Sequence, residues 1–199
     1  MVASPGLSEP RPLRPQTHLC DAVTPLRDVW GRHQVVAYFE RIEATLEGIR
    51  SISADLPAEV VLSTTLHGFR RLNKVFERVD DSDGDRWSVQ HDLRELHIHA
   101  LSRLDWPSDE LAEHLLDLTL KDPADQFPDV LAHYGEVLGE SGQAAFFELV
   151  ESRLDALPAL RFGADFTEAY PHLRLADVLR ERAEAADDVS ALIALAKRT

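Results

Sequence analysis

Apolar residues recur along most of this chain at the spacing of a helix. From Val35 they fall at i, i+3, i+4 and i+7, which places them on one face of an α-helix. The spacing returns after Pro57, which is tolerated in a first helical turn, and again from Val89 to Leu104. Further stripes follow at 111–118, 146–154, 171–185 and 189–197. Together with a short segment at 130–138, the pattern predicts about eight helices.

Proline, glycine and serine mark several of the predicted boundaries. Pro107 disfavours helix at Trp106, and Ser108 is placed to cap the helix that follows. Gly139 is predicted to end the short helix at its C′ position, and Ser141 to cap the next one. These boundaries predict separate helices with short connections.

The same pattern predicts the fold class and the domain organisation. No segment has the alternation or the β-branched runs expected of strands, and helices with short connections pack as antiparallel neighbours. The predicted fold is therefore all-α, with antiparallel helical hairpins stacked as a short right-handed repeat-like array. Residues 1–27 contain five of the 11 prolines and little periodicity. We therefore predict a disordered Pro-rich leader at 1–27 and a single helical-hairpin domain at 28–199.

Composition excludes several functional classes. The 199 residues carry a formal net charge of −14, whereas a protein that tracks phosphates needs clustered positive charge, so direct nucleic-acid binding is not expected. Cys20 is the one cysteine, which excludes an internal disulfide and any multi-cysteine zinc module and favours a reducing, cytoplasmic setting. No apolar run approaches the ~18 residues of a membrane span, so no membrane partner is expected.

Four segments carry a resemblance to a known family. They are residues 76–84 (FERVDDSDG), 93–97 (LRELH), 111–118 (LAEHLLDL) and 134–142 (YGEVLGESG). On these segments the chain, over residues 35–162, resembles the C-terminal helical region of bacterial SWIM zinc-finger proteins and a related domain-of-unknown-function family. The resemblance implies a helical-repeat fold and no particular chemistry. The zinc finger of those proteins needs several cysteines and a histidine, and this chain has only His18 and Cys20 upstream of the helices.

The acidic turn DDSDGD invites comparison with a calcium-binding loop. When Gly84 is aligned with the glycine of an EF-hand, Asp81 and Asp83 fall at ligand positions. However, Val79 and Gln90 then occupy the positions of the first Asp and of the bidentate Glu. We therefore interpret this segment as a turn between helices, with an aspartate that caps the helix after it.

Other residue types that support catalysis or metal binding lack the required arrangement. His91, Glu95 and His99 share one helical face, but it lies opposite the apolar stripe and lacks the HExxH spacing of a zinc helix. His97 lies at the flank of that stripe and is interpreted as a hydrogen-bonded boundary residue. The Gly-x3-Gly-x2-Gly run that ends at Gly142 matches neither a dinucleotide fingerprint nor a phosphate loop. No catalytic residue, metal site or cofactor is therefore predicted.

A basic strip on the second predicted helix is the first candidate contact surface. Arg70, Arg71, Lys74 and Arg78 share the face that lies away from the apolar stripe, together with His67. A solvated face is the simpler interpretation, and a partner-binding surface is the alternative. The strip is expected to contribute to contacts and not to folding.

The C-terminal hairpin is the second candidate contact surface. Leu192 and Ile193 lie with Val189 and Ala196 on one face of the last predicted helix, and the preceding helix covers one side of that stripe. No further helix follows before Thr199 to cover the other side. We therefore expect an exposed apolar edge that favours self-association or a protein partner.

These observations favour a non-catalytic scaffold for protein–protein interaction, because helical-repeat arrays offer extended binding surfaces and no residue pattern marks a reaction. Two alternatives stay open. The first is an accessory protein of a nucleic-acid-associated system, which follows from the resemblance and has the basic strip as its physical support. The second is an enzyme with a carboxylate- or histidine-based site.

Overall fold

The described residues are organised as helices throughout. A computed structural model describes residues 14–122, 126–127, 129–161 and 163–196, and eight α-helices lie within these ranges. One isolated parallel bridge, between Val29 and Val79, is the only β-type pairing in this part of the chain. The prediction of an all-α fold with about eight helices is therefore confirmed. The handedness of any repeat-like stacking stays a prediction.

The chain divides into two compact units, residues 1–100 and residues 101–199. The single helical-hairpin domain at 28–199 stays a prediction. Hydrophobic periodicity shows which face of each helix is buried, but it does not show which helices share a core.

Unit 1 contains α1 (Pro15–Val23), α2 (Arg32–Ile52), α3 (Ala58–Val75) and α4 (Arg86–Leu101), with short 3₁₀ turns after α2 and α3. The predicted stripes of α2 and α3 are buried as expected. At the start of α4, the carboxylate of Asp81 accepts a hydrogen bond of 2.9 Å from the backbone N–H of Arg86. It also lies 3.0 Å from the guanidinium of Arg86. The prediction that an aspartate of the acidic turn caps this helix is confirmed.

The helix α1 lies inside the segment predicted to be a disordered leader. Leu19 and Val23 are fully buried, Ala22 is nearly so, and α1 packs against both α2 and α3. The leader prediction is therefore wrong for the described residues from Pro15 to Arg27, while residues 1–13 lie outside the described residues.

The reason for this error is the position of the prolines relative to the helix. Pro15 stands at the first helical position, where the missing N–H costs nothing and the fixed φ favours a helix. Leu19, Ala22 and Val23 then follow at i, i+3 and i+4, so the segment has an apolar face of its own. Side chains of α2 hold this helix in place: Tyr38 donates to the carbonyl of Val23 at 2.7 Å.

The helix α4 is buried on two faces. One is the predicted stripe, in which Val89 and Leu93 are fully buried. The other carries polar side chains at i, i+4 and i+7, and Gln90, Arg94 and His97 on it are all buried. The interpretation of His97 as a boundary residue is therefore wrong, because its ring is fully buried and lies edge-on to Phe69, with 6.2 Å between ring centroids.

Unit 2 contains α5 (Ser108–Leu120), α6 (Val130–Ala156), α7 (Phe166–Ala185) and α8 (Val189–Ala196). Each of these helices packs against the next along the chain, which is the packing expected of consecutive hairpins. Ser108 is the first residue of α5 rather than its cap, and its hydroxyl lies 3.0 Å from that of Ser141.

Gly139 interrupts α6 as the sequence predicts. Its φ of 61° and ψ of −179° are outside the helical region, and φ values of this sign favour glycine. The helix continues on the other side of this kink, and the side-chain amide of Gln143 donates to the carbonyl of Gly135 at 2.8 Å across the break. The two segments predicted as separate helices are therefore two helical segments that meet at a kink at Gly139, and α6 is used here as the label for both.

The helix α7 begins five residues before the predicted start at Pro171. The carboxylate of Asp165 accepts a hydrogen bond of 2.9 Å from the backbone N–H of Glu168, which caps the new first turn. Pro171 consequently lies inside the helix rather than at its first position.

Candidate interaction surface

The helix α8 is apolar on almost every side and is not buried on any of them. Its eight residues, VSALIALA, include no charged side chain and one polar one, Ser190. The carboxylate of Asp188 caps it by accepting from the backbone N–H of Ala191 at 2.9 Å. A helix that is apolar all round is normally found in a protein core. None of the residues of α8 is buried, so its position departs from that rule.

The outer face of α8 carries exposed aliphatic side chains. Val189 is 64% exposed and Ile193 is 53% exposed, and they stand at i and i+4. Ala196, at i+7, is exposed as well. These three residues form one continuous ridge, which we call the α8 ridge.

A groove of about 410 Å³ lies on another side of α8. Its apolar walls come from α7 and α8, and they are built from Leu179, Ala183, Ala191, Ala194 and Leu195. Three of these five residues are alanines, whose side chains are short. We call this feature the α7–α8 groove.

The edge of the α7–α8 groove is polar and anchored to α6. Arg182 lies over the ring of Phe147, with 4.1 Å from its guanidinium carbon to the ring centroid. The same guanidinium lies 3.4 Å from the carboxylate of Glu151. An apolar floor with a charged rim is the usual composition of a protein-binding surface.

The structure separates the two residues predicted for this surface. Ile193 is on the exposed α8 ridge, whereas Leu192 is only partly exposed. Val189 is more exposed than either and was not among the predicted contact residues. The signal for Val189 was present in the sequence, because it lies four residues before Ile193 on the same stripe.

The basic strip of α3 is only partly available to a partner. Arg70 and Lys74 are exposed. In contrast, Arg71 donates through Nε to the hydroxyl of Thr24 at 2.8 Å, and Arg78 donates to the carboxylate of Asp28 at 2.9 Å. Arg71 and Arg78 thus tie α3 and the 3₁₀ turn after it to the segment that follows α1. That the strip contributes to contacts with a partner and not to folding stays a prediction.

Histidine adds little charge to this strip at neutral pH. Burial lowers the pKa of His67, and the neighbouring cations Arg70, Arg71 and Lys74 lower it further. The positive charge of the strip is therefore carried by Lys74 and the arginines; Arg70 and Lys74 are exposed, and Arg78 is paired with Asp28.

The other candidate positions show no grouped chemistry. His91, Glu95 and His99 are exposed along α4, as predicted for a solvated face. Cys20 lies on α1 rather than in a disordered segment, and burial raises the pKa of its thiol. Within the described ranges, no three His, Cys, Asp or Glu residues are grouped closely enough to hold a metal ion. None of the described helices is both long and apolar enough to cross a membrane.

Comparisons of this chain with protein-family models, with curated proteins and with solved structures found no match. The resemblance to the helical region of SWIM proteins therefore stays a prediction.

Proposed function

We propose that this protein is a non-catalytic scaffold for protein–protein interaction and that its contact surface is the C-terminal hairpin of unit 2. The observation that carries the proposal is the exposure of α8, an apolar helix without a buried residue. Moving a Val or Ile side chain fully out of water is worth about 1.5–3 kcal/mol. Covering the α8 ridge with a partner would therefore add a favourable free energy of burial that packing within unit 2 does not provide.

The α7–α8 groove supports the same proposal. Its lining of small, apolar residues leaves room for an inserted side chain or a closely packed helix. The charged residues at its edge would orient the partner. Exposed apolar surface with a polar rim marks interaction sites on proteins more often than it marks catalytic ones. The partner is expected in a reducing, cytoplasmic setting, in keeping with the single cysteine.

Site-specific photocrosslinking in native cells tests this function. A photoreactive residue at position 193 should form covalent adducts with protein, because this side chain lies on the exposed ridge. The matched control is the same residue at position 110, since Glu110 is exposed on α5 and no residue of α5 lines the α7–α8 groove. The adducts at position 193 should disappear when Val189→Glu is added.

Two outcomes would contradict the proposal. Equal adduct yields at positions 193 and 110 would show that the crosslinks report random encounters, and the absence of adducts at position 193 would leave α8 without a partner. A salt-dependent mobility shift with duplex or single-stranded DNA, abolished by Arg70→Glu with Lys74→Glu, would instead favour the nucleic-acid alternative.

A further inference from the structure

The connection between α1 and α2, residues 24–31, exposes two large apolar side chains in unit 1. Leu26 is 100% exposed and Trp30 is 58% exposed. A cavity of about 220 Å³ lies between this connection and α2, and its apolar lining consists of Pro25, Leu26, Val29, Ala37 and Tyr38. Tryptophan, tyrosine and arginine are enriched among the residues that carry most of the binding energy of protein interfaces. Two arginines, Arg27 and Arg41, line the same cavity.

Hydrogen bonds fasten the α1–α2 connection to the rest of unit 1. The backbone N–H of Val29 donates to the carbonyl of Arg78 at 2.8 Å, and the N–H of Asp80 donates to the carbonyl of Val29 at 2.8 Å. Arg71 adds its hydrogen bond to the hydroxyl of Thr24. A surface that is held in place before binding loses less conformational entropy when a partner binds.

Guanidinium groups from three elements converge on this connection. Arg27 belongs to the connection itself, and Arg71 reaches it from α3. Arg41 of α2 donates to the carbonyl of Ala22, close to the point where the connection begins, at 2.9 Å. In the part of the chain that the structure describes, none of these three arginines is paired with a carboxylate. Their charge is therefore available to a ligand.

This positive charge stands out against the composition of the chain. The protein has a net charge of −14, whereas residues 24–41 contain three basic and two acidic residues. One of the two acids, Asp28, is already paired with Arg78 at 2.9 Å. In unit 2, by contrast, Arg161 and Arg182 each lie beside a carboxylate of their own unit. Free guanidinium groups bind carboxylates through charge-assisted, often bidentate hydrogen bonds.

We propose that the α1–α2 connection binds an acidic segment of another protein, with an apolar side chain of that segment in the cavity and its carboxylates on Arg27 and Arg41. This surface lies in unit 1, so the proposal does not depend on the function of α8. The apolar lining selects the inserted side chain, and the arginines select the charge around it. A nucleic acid is disfavoured, because a net charge of −14 repels a phosphate backbone.

Selection from a random peptide library displayed on phage, with the purified full chain as target, tests this proposal. Enriched peptides should carry an apolar residue flanked by Asp or Glu. A synthetic copy of the strongest such peptide should bind Arg27→Glu about tenfold more weakly than the native protein, and it should bind the native protein more weakly as salt is added. Replacing the acids of the peptide with Lys should restore binding to Arg27→Glu.

The matched control is Arg161→Glu. Arg161 is an exposed arginine that follows an exposed leucine, as Arg27 does, but it lies in unit 2. Its reversal should leave the affinity for the acidic peptide unchanged. Circular dichroism should show the native helix content in both variants, because both side chains are exposed.

Several outcomes would overturn the proposal. Enriched peptides without acidic residues would do so, as would acidic peptides that bind Arg27→Glu as tightly as the native protein. An oligonucleotide that binds more tightly than any selected peptide, and loses affinity in Arg27→Glu, would assign the surface to a nucleic acid. A dimer in sedimentation that Arg27→Glu dissociates would assign it to a second copy of the chain. If all selected peptides depend on Val189 and none on Arg27, this proposal fails while the function proposed for α8 stands.

Discussion

The two short helices at the ends of the described chain, α1 and α8, differ in a way that their sequences do not suggest. The helix α1 begins with a proline in a proline-rich segment and has only moderate hydropathy, yet Leu19 and Val23 are fully buried between α2 and α3. The helix α8 is apolar along its whole length, yet none of its residues is buried. The more apolar helix is therefore the less buried one.

This difference shows that the hydropathy of a segment gives the free-energy cost of its exposure to water but does not predict whether the segment is buried. The helix α1 has two neighbours that accept it, and hydrogen bonds from Tyr38 and Arg41 satisfy carbonyls near its end. The helix α8 packs chiefly against one described helix of unit 2, α7. The number of helices that pack against a segment, and not its hydropathy alone, therefore decides how deeply it is buried.

Truncation of one side chain in each helix should give the largest contrast between them. Leu19→Ala removes a fully buried side chain, so we expect the free energy of unfolding to fall by about 2–5 kcal/mol. Ile193→Ala removes one that is half exposed, so under conditions in which the protein is monomeric the change should stay within about 0.5 kcal/mol. Leu26→Ala is the control for α1, since Leu26 is 100% exposed. Chemical unfolding monitored by circular dichroism measures all three.

Equal losses for Leu19→Ala and Ile193→Ala would contradict the comparison. That result would show that α8 is as well packed as α1 in the isolated monomer. If Leu26→Ala lost as much stability as Leu19→Ala, the segment after α1 would also have to be packed against the core, contrary to the exposure of Leu26.

The sequence predicted the features that depend on local chemistry. The stripes of α2 and α3, the break at Gly139 and the capping of α4 by an aspartate of the acidic turn are all set by residues within one or two turns of each other. The missed helix α1 had a local signal as well, in Leu19, Ala22 and Val23. The prolines around it were interpreted as evidence against any helix, although only Pro15 lies within α1, at a position that tolerates it.

Features that depend on distant residues were not predictable in the same way. Gln90, Arg94 and His97 are polar and were not expected to be buried, because burial of such groups is decided by what packs around α4 and not by α4 itself. Likewise, the sequence marked the apolar stripe of α8, but the α7–α8 groove requires side chains from α6 and α7. The division into two units has no local signal either, since a helix continues up to the boundary.

Two glycine substitutions test how closely the helices around α1 are packed, and we expect effects of opposite sign on stability. A Cβ at Gly68 would lie 2.8 Å from Leu19 and 2.9 Å from Leu93, so Gly68→Ala should cost about 1–3 kcal/mol through overpacking. Gly48 is on α2, and a Cβ added there would meet no atom within 4 Å, so Gly48→Ala should gain about 0.5–1 kcal/mol through helix propensity. Thermal unfolding of both variants measures the difference. Stabilisation by Gly68→Ala would contradict a close contact between α1, α3 and α4.

The hydrogen bond from Tyr38 gives a smaller loss of stability than the changes at Leu19 and Gly68, and it also gives a pH dependence of known sign. Tyr38→Phe removes the donor to the carbonyl of Val23, so stability at neutral pH should fall by about 1 kcal/mol. Burial raises the pKa of Tyr38 to about 12, although Arg41 and Arg78 oppose this rise. In the unfolded chain a tyrosine titrates at about pH 10. Between these two values the unfolded state therefore loses its proton first, and the stabilising contribution of Tyr38 is lost as the pH rises.

The measurement that checks this is the difference in free energy of unfolding between the native protein and Tyr38→Phe, followed from neutral pH upward. The difference should be constant below about pH 10 and should shrink as the pH approaches about 12. Other groups that titrate in this range are present in both proteins and cancel in the difference. A difference that stays constant through this interval, or that grows, would show that the Tyr38 hydroxyl is not protected by the packing of α1 on α2.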